Sequence, residues 1–215
     1  MLKDRAVGIM GGTFDPIHFG HLVIAEGARV QFNLDEILFV PSGSPPHKER
    51  ESISPAAQRY RMTVLATQDN PHFHVSRLEV DRPGPSYAVD TVRTLRDLYT
   101  KETDLYFITG ADAILQILSW KDVGDMISMC KLVAATRPGY SLDGLEEIIL
   151  KVRKEHKEDF NVFCIEVPAL MISSTDIRNR VRNGLPIKYL LPDEVERYII
   201  EGGLYKQARY RAKQV

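Results

Sequence analysis

Short apolar runs alternate along the chain with longer segments in which apolar residues recur at helical spacing. The short runs are rich in β-branched and aromatic residues and predict strands over residues 6–10, 36–40, 72–80, 104–109, 131–136 and 161–167. The longer segments predict helices over residues 21–32, 55–68, 86–99, 142–156, 174–183 and 192–201. The two kinds of element therefore follow each other in turn for most of the sequence.

This alternation favours an α/β fold with a doubly wound parallel sheet and helices on both of its faces, because strands that are apolar almost throughout must be covered on both sides. Ligands of such sheets bind at the carboxyl ends of the strands. We expect one domain over residues 1–215, with the last helices, about 174–201, packed on it. The short basic tail that follows is expected to fray.

Composition excludes several classes of protein. The 215 residues are 44% hydrophobic and 27% charged, which is ordinary for a globular protein and unlike disordered, collagenous or coiled-coil chains. Lys and Arg number 28 against 29 Asp and Glu, for a net charge of -1. No overall positive field exists to collect polyanions, so nucleic-acid binding is not expected.

The apolar run at the N-terminus is too short for a signal peptide, and no run approaches the roughly 18 to 20 residues of a membrane span. The cysteines, Cys130 and Cys164, have neither a Cys-x-x-Cys pattern nor a nearby histidine pair. We interpret both as buried thiols in a reducing compartment. The sequence thus predicts a cytoplasmic protein without a membrane partner, and it leaves a homo-oligomer open.

The segment GGTFDPIHFGH, residues 11–21, carries the strongest chemical signal. Glycines directly after a strand let backbone amides approach a phosphate, and a helix start adds its positive end. The pattern matches neither the dinucleotide fingerprint nor a P-loop. His18 and His21 could face a triphosphate together. The alternative is a pair of zinc ligands, but their spacing and the lack of a further ligand argue against it. No protein metal site is therefore predicted.

A second segment, VPALMISSTDIRNRV, predicts a capped helix start. Ser173 or Ser174 can cap the helix, and Asp176 stands three residues after Ser173, as in a capping box. A plain cap with a surface arginine is the simpler interpretation. Arg178, four residues after Ser174, would instead bring a guanidinium to the helix start, where a pyrophosphate would fit.

Two segments, GGTFDPIHFGH and the later ISSTDIR, together resemble the HxGH nucleotidyltransferase superfamily. The segments PSGSPPHK, SYAVDT, GADAILQILSW and RPG resemble bacterial nicotinate-nucleotide adenylyltransferases, so that the resemblance covers nearly the whole chain. It implies a Rossmann-like nucleotidyltransferase fold. It also implies a reaction of ATP with nicotinate mononucleotide that yields deamido-NAD and pyrophosphate and uses Mg2+.

The resemblance also implies roles for individual residues. Contacts to ATP are implied for Gly11, Gly12, Thr13, Phe14, His18, His21, Ser173, Ser174, Thr175 and Arg178. Contacts to the mononucleotide are implied for Lys48, Tyr87, Thr91, Gly110, Asp112, Trp120 and Arg137. The catalytic group would consist of His18, His21, Lys48 and Arg178.

The chemistry of these residue types agrees with such a reaction. A phosphate monoester, with a second pKa of about 6, is already a dianionic nucleophile at neutral pH and needs no general base. The protein has to align the reactants and neutralise charge, which histidines, Lys48, Arg178 and helix-end amides can do. No Ser-His-Asp or Cys-His arrangement competes with this interpretation.

Trp120 and Asp112 each have a structural alternative. Trp120, the only tryptophan, could be a core anchor. In SWKDVG, however, it directly precedes charged residues, which favours a position at the rim of a site. The resemblance implies that Trp120 stacks on the pyridine ring and that Thr91 and nearby amides hold the ring carboxylate. Asp112 could cap a helix, or accept hydrogen bonds from ribose hydroxyls.

Other functions remain open at the level of sequence. The acceptor could be nicotinamide mononucleotide or another phosphate, such as phosphopantetheine, but the middle segments argue against this. A nucleotide sensor without turnover is opposed by the complete set of charged residues. A fragment of a class I aminoacyl-tRNA synthetase is opposed by length and by the lack of a KMSKS-like loop.

Overall fold

The computed structural model describes residues 5–46, 53–136, 143–156, 162–168 and 170–206. Within these ranges one parallel sheet contains the strands β1 (Ala6–Gly12), β2 (Glu36–Pro41), β3 (Phe73–Val75), β4 (Asp104–Gly110), β5 (Lys131–Thr136) and β6 (Val162–Glu166). The helices are α1 (Phe19–Gln31), α2 (Ala56–Thr67), α3 (Ala88–Leu98), α4 (Ala111–Ile114), α5 (Val123–Met129), α6 (Leu145–His156), α7 (Ser174–Arg182) and α8 (Asp193–Glu201).

The strand order, β3-β2-β1-β4-β5-β6, runs outward in both directions from the pair β1 and β4. Alternate residues of each strand face opposite sides of the sheet. On one side Met10 and Ile108 join a buried cluster with α1, α2, α7 and α8. On the other side Ile9 and Phe107 join a second cluster with α3, α4, α5 and α6. The predicted doubly wound α/β fold is therefore confirmed.

The structure corrects the predicted strand at 72–80. Only Phe73–Val75 pairs with β2, because local side-chain bonds turn the chain immediately afterwards. Ser76 Oγ accepts a hydrogen bond from the amide of Leu78. Arg77 binds the carboxylate of Asp81 through two nitrogens, at 2.9 and 2.6 Å. Such local bonds give the backbone an alternative to the sheet.

The region between β4 and β5 was not predicted in detail. It contains the short helix α4, a 3-10 turn at Ile117–Ser119 and α5. The four-residue α4 is too short for helical periodicity to be visible in the sequence. Its apolar residues nevertheless belong to the second buried cluster, as do Ile117 and Val123.

Two further expectations can be compared with the described residues. Cys130 is buried as predicted, but Cys164 is exposed, because it lies on the edge strand β6. The prediction of two buried thiols was therefore wrong for Cys164. None of the helices in the described ranges has the length and apolarity needed to cross a membrane.

Candidate active site

Two cavities open at the carboxyl ends of β1 and β4, where the strand order reverses. The histidine cavity has a volume of about 570 Å3 and is bordered by residues that include His18, His21, Asp112, Thr136, Ser173 and Arg178. The tryptophan cavity has a volume of about 700 Å3 and is bordered by residues that include Thr13, Glu79, Tyr87, Phe107, Trp120 and Lys121. Gly11 and Thr109 border both cavities. Together they form a crevice at the position where doubly wound sheets bind ligands.

The histidine pair lies at the start of α1. His18 is the residue before the helix and has extended backbone angles, whereas His21 lies in its first turn. Their rings stack, with centroids 3.8 Å apart. A Cβ atom on Gly20 would lie 3.0 Å from the His18 ring, so a glycine leaves room for this ring. The two histidines are thus neighbours, although His18 precedes the helix, and their predicted contact with a triphosphate stays a prediction.

Hydrogen bonding and burial distinguish the two imidazoles. The backbone amide of His18 donates to Nδ1 of His21 at 3.2 Å, so a neutral His21 carries its proton on Nε2. Burial lowers the pKa of His18 to about 4, and His18 is therefore neutral at pH 7. Its buried Nδ1 has no hydrogen-bond partner in the described part of the chain. This nitrogen is available to a polar ligand.

The start of α7 lies beside the histidine pair. Ser173 caps the helix, because its Oγ accepts a hydrogen bond from the amide of Asp176 at 3.1 Å, and this confirms the predicted cap. Ser174 Oγ donates to the carbonyl of Pro16 at 2.9 Å. Arg178 Nη1 donates to the carbonyl of Asp15 at 2.7 Å. The two sequence motifs, about 160 positions apart, are thus joined directly.

Arg178 also contacts its own helix, since Nη2 donates to Thr175 Oγ1 at 3.2 Å. Its buried Nε has no hydrogen-bond partner within the described ranges. Ser173, Ser174, Thr175 and Arg178 all border the histidine cavity. A guanidinium, hydroxyl groups and the amides of a helix start therefore meet at one place, which suits an anion such as a phosphate.

The tryptophan cavity has an aromatic wall. The Trp120 ring packs edge-to-face on Phe107, with centroids 5.9 Å apart. Lys121 Nζ lies 4.7 Å from the centre of the Tyr87 ring and 3.3 Å from the carboxylate of Asp90. Trp120 is partly exposed, which confirms the predicted rim position. The wall can accept a flat ring, and Lys121 adds a positive charge.

A buried polar group lies behind this wall. Thr91 is 1% exposed; its hydroxyl donates to Glu79 Oε1 and accepts a hydrogen bond from Arg82 Nη2. Glu79 is 5% exposed and borders the cavity, and burial raises the pKa of its carboxyl. Thr91 itself does not border the cavity, so its predicted contact with substrate stays a prediction.

Several predicted residues lie elsewhere than their predicted roles suggest. Asp112 and Gly110 border the histidine cavity rather than the tryptophan cavity. Gly12 and Thr13, predicted to contact ATP, border the tryptophan cavity. Phe14 is 2% exposed and packs against the His21 ring at 5.1 Å. Lys48 and Arg137 lie outside the described residues.

Asp15 and Arg59 were not predicted. Arg59, fully buried, donates to the carbonyls of Thr13, Gly43 and Ser54 at 2.7, 3.1 and 2.9 Å. It thereby ties the glycine turn to the segment after β2. A charged residue in an amphipathic helix normally indicates a solvated face, so the sequence carries no signal for this burial. Asp15 stands within the predicted motif, but nothing in the sequence marks it as a buried acceptor.

Among the described residues no group of three His, Cys, Asp or Glu side chains is arranged to hold a metal ion. A structural zinc site needs such a group. Mg2+, in contrast, commonly keeps several water ligands and binds through the phosphates of a nucleotide. The hydroxyl groups and amides at the start of α7 suit the phosphates that would carry such an ion.

Comparisons with known proteins agree with this geometry. The cytidylyltransferase-like family matches the chain over residues 9–180. A protein of Moorella thermoacetica named "Probable nicotinate-nucleotide adenylyltransferase" is 59% identical over 206 residues, which are 95% of this chain and 93% of that protein. A relative of the same name from Thermoanaerobacter sp. (strain X514) is 51% identical, with 96% and 97% covered.

Solved structures show the same fold. The nicotinic acid mononucleotide adenylyltransferase of Plasmodium falciparum, in its complex with NaAD, superposes with a TM-score of 0.74 and is 23% identical. The match covers 94% of this chain and 97% of that one. A second structure of the Plasmodium enzyme, complexed with APC, gives a TM-score of 0.72.

Proposed function

Because the chain belongs to the cytidylyltransferase-like family and, within it, to the nicotinate-nucleotide adenylyltransferases, we propose that it transfers the adenylyl group of ATP to nicotinate mononucleotide. The products are deamido-NAD and pyrophosphate, and the reaction belongs to NAD biosynthesis. ATP binds in the histidine cavity and the mononucleotide in the tryptophan cavity.

One observation carries this proposal: two cavities of different character meet at Gly11 and Thr109. The histidine cavity offers a guanidinium and the start of α7, which suit a polyphosphate. The tryptophan cavity offers an aromatic wall, which suits a pyridine ring. Two nucleotides bound in this way would have their phosphates near the shared border, where a bond between them can form.

In the proposed reaction an oxygen of the mononucleotide phosphate forms a bond to the α-phosphorus of ATP. The bond between that phosphorus and the oxygen leading to the β-phosphorus breaks, and pyrophosphate leaves with its electron pair. The attacking phosphate is largely dianionic at neutral pH, since its second pKa is about 6. The protein therefore needs no general base for this step.

The proposed catalytic task of the chain is to align the phosphates and to stabilise their charge. His18 is neutral before ATP arrives, and Nδ1 is available for a hydrogen bond. The negative triphosphate favours the protonated imidazole. His21 can donate from Nε2, and Arg178 supplies a permanent charge. Lys48 is proposed to close over the phosphates, as a residue of a Pro- and Ser-rich loop.

Mg2+ is proposed to enter with ATP, and when bound it would neutralise part of the charge on the phosphates. The chain's own contribution would be indirect. Hydroxyl groups of Ser173 and Thr175 and the amides at the start of α7 would fix the phosphates that carry the ion. The cytoplasmic location stays a prediction, and a homo-oligomer stays open.

We propose that the acid form of the mononucleotide is preferred over the amide form by at least about tenfold in kcat/KM, since charge-assisted hydrogen bonds are about twice as strong as neutral ones. Lys121 in the tryptophan cavity supports this preference. Thr91 is proposed to contribute to this preference indirectly, through its hydrogen bonds with Glu79 and Arg82.

The test measures pyrophosphate release from ATP with nicotinate mononucleotide, nicotinamide mononucleotide and phosphopantetheine as separate acceptors. We expect rapid release, and deamido-NAD as product, with the first. Equal kcat/KM for the acid and the amide would replace the proposal by a dual-specificity enzyme. Binding of ATP without turnover on any acceptor would favour the sensor alternative.

A further inference from the structure

The C-terminal segment after α8 contacts a buried residue next to the active site. The chain turns at Gly203, which has a φ of 62°, and the amide of Leu204 donates to the carbonyl of Ile199 at 3.0 Å. The next residue, Tyr205, packs against the first buried cluster together with Leu204. Its hydroxyl donates to Asp15 Oδ1 at 2.7 Å, across 190 positions of sequence. Residue 205 is thus part of the surroundings of the glycine turn.

Asp15 connects this tyrosine to the histidine cavity. Its side chain, 2% exposed, accepts one hydrogen bond from Tyr205 and another from the amide of Ser54 at 3.2 Å. Its backbone carbonyl accepts the 2.7 Å bond from Arg178 Nη1. Both ends of one buried residue are therefore held: the carboxylate by Tyr205 and Ser54, and the carbonyl by Arg178.

A buried carboxylate that loses a hydrogen-bond donor is destabilised, because its desolvation is then no longer compensated. Removal of the Tyr205 hydroxyl leaves Oδ1 to find another donor or to move. Arg59 is the near positive charge, but all three of its bonds described above go to backbone carbonyls. Tyr205 is therefore the side-chain donor that holds Oδ1 of Asp15, while the Ser54 amide holds Oδ2.

We propose that Tyr205 is a positioning residue of the adenylyl transfer, which acts through Asp15 to hold the Arg178 guanidinium toward the phosphates. This inference rests on the proposed function for the role of Arg178. It gives the C-terminal segment a part in catalysis although Tyr205 borders neither cavity.

The test is a double-mutant cycle with Tyr205→Phe and Arg178→Ala, read by kcat/KM and by the dissociation constant of ATP. We expect Tyr205→Phe to lower kcat/KM about tenfold and to weaken ATP binding when Arg178 is present. In the Arg178→Ala background the same change should alter both quantities less than about twofold. A purely structural tyrosine would cause equal losses in both backgrounds.

Tyr198→Phe is the matched control. Tyr198 packs against the same cluster, and its hydroxyl has no hydrogen-bond partner within the described ranges, so activity should not change. The free energy of unfolding in urea, measured for all variants, distinguishes a loss of stability from a displaced Arg178 guanidinium. Equal losses in both backgrounds, no loss in Tyr205→Phe, or an Arg178→Ala variant with unchanged ATP binding and turnover would each overturn the proposal. The dissociation constant of ATP does not depend on the acceptor, so it still tests the role of Tyr205 if the chain proves to use an acceptor other than nicotinate mononucleotide.

Discussion

The two cavities differ in the residues that line them and in the part of a nucleotide that each suits. The histidine cavity takes its histidines, its arginine and its helix-start hydroxyl groups from two short segments, the start of α1 and the start of α7, and hydrogen bonds join α7 to the segment before α1 directly. The aromatic wall of the tryptophan cavity comes from β4, the residue before α3 and the region before α5. The comparison teaches that hydrogen-bonding groups and a helix start lie where phosphates would react, and that flat aromatic surface lies where the pyridine would be recognised.

The largest effect expected from this difference is on turnover. His18→Ala and His21→Ala should each lower kcat by roughly 10² to 10⁴, because both imidazoles would face charge that develops in the transition state. Steady-state kinetics with saturating substrates measures the loss. His74→Ala, on the edge strand β3 and half-exposed, serves as control. Turnover at the normal rate in either variant would remove that histidine from catalysis.

The next effect concerns stability as a function of pH. The pKa of His18 falls from 6.5 to about 4 on folding, so the unfolded chain binds more protons between these values and stability is lost as the pH falls. The loss is on the order of 3 kcal/mol. Glu79 has the opposite sign: its raised pKa gives stability that is present below its ordinary pKa of 4.5 and lost as the pH rises.

Urea unfolding across the pH range therefore distinguishes the two cavities. His18→Asn should flatten the decline in the free energy of unfolding between pH 6.5 and 4, and Glu79→Gln should flatten the decline that begins above about pH 4.5. Identical curves for the unaltered chain and the His18 variant would contradict a neutral, buried His18.

A smaller effect is expected on recognition of the pyridine. Trp120→Ala should raise the KM for nicotinate mononucleotide by about 10- to 100-fold, the loss of 1 to 3 kcal/mol of stacking, and change the KM for ATP less than about twofold. Initial rates at varied concentrations of each substrate measure both values. Leu118→Ala, a neighbouring residue that is 36% exposed and borders neither cavity, is the control. A comparable change in both KM values would show that the cavities are not independent.

The same comparison explains what the sequence could predict. The histidine cavity was predictable because its residues stand in two compact segments, in which glycines, histidines and a helix cap have recognisable spacing. The fold was predictable because buried parallel strands are apolar throughout. Among the described residues predicted to contact the mononucleotide, Tyr87 and Trp120 border the tryptophan cavity. Other parts of its lining were missed, since α4 is too short to show periodicity and Glu79 lies in a segment interpreted as a strand.

The hydrogen bonds of buried charged residues were the least accessible to prediction. Arg59 and Asp15 find their partners across long sequence separations, and neither residue type is normally buried. Such pairings depend on tertiary packing, so local patterns cannot reveal them. The same applies to Asp112. Its place after β4 was predicted, but which of the two cavities it borders depends on the side of the sheet that the chain follows after the strand.

The shared border of Gly11 and Thr109 has a consequence for ligand design and for release. A compound with one head for each cavity and a short linker binds its second head at an effective concentration of about 1 mM. Heads that bind separately at about 10 µM would then give a joined compound that binds about a hundredfold more tightly than either. The dinucleotide product is such a compound, so it should dissociate more slowly than either substrate, and its departure becomes a candidate for the step that limits the cycle.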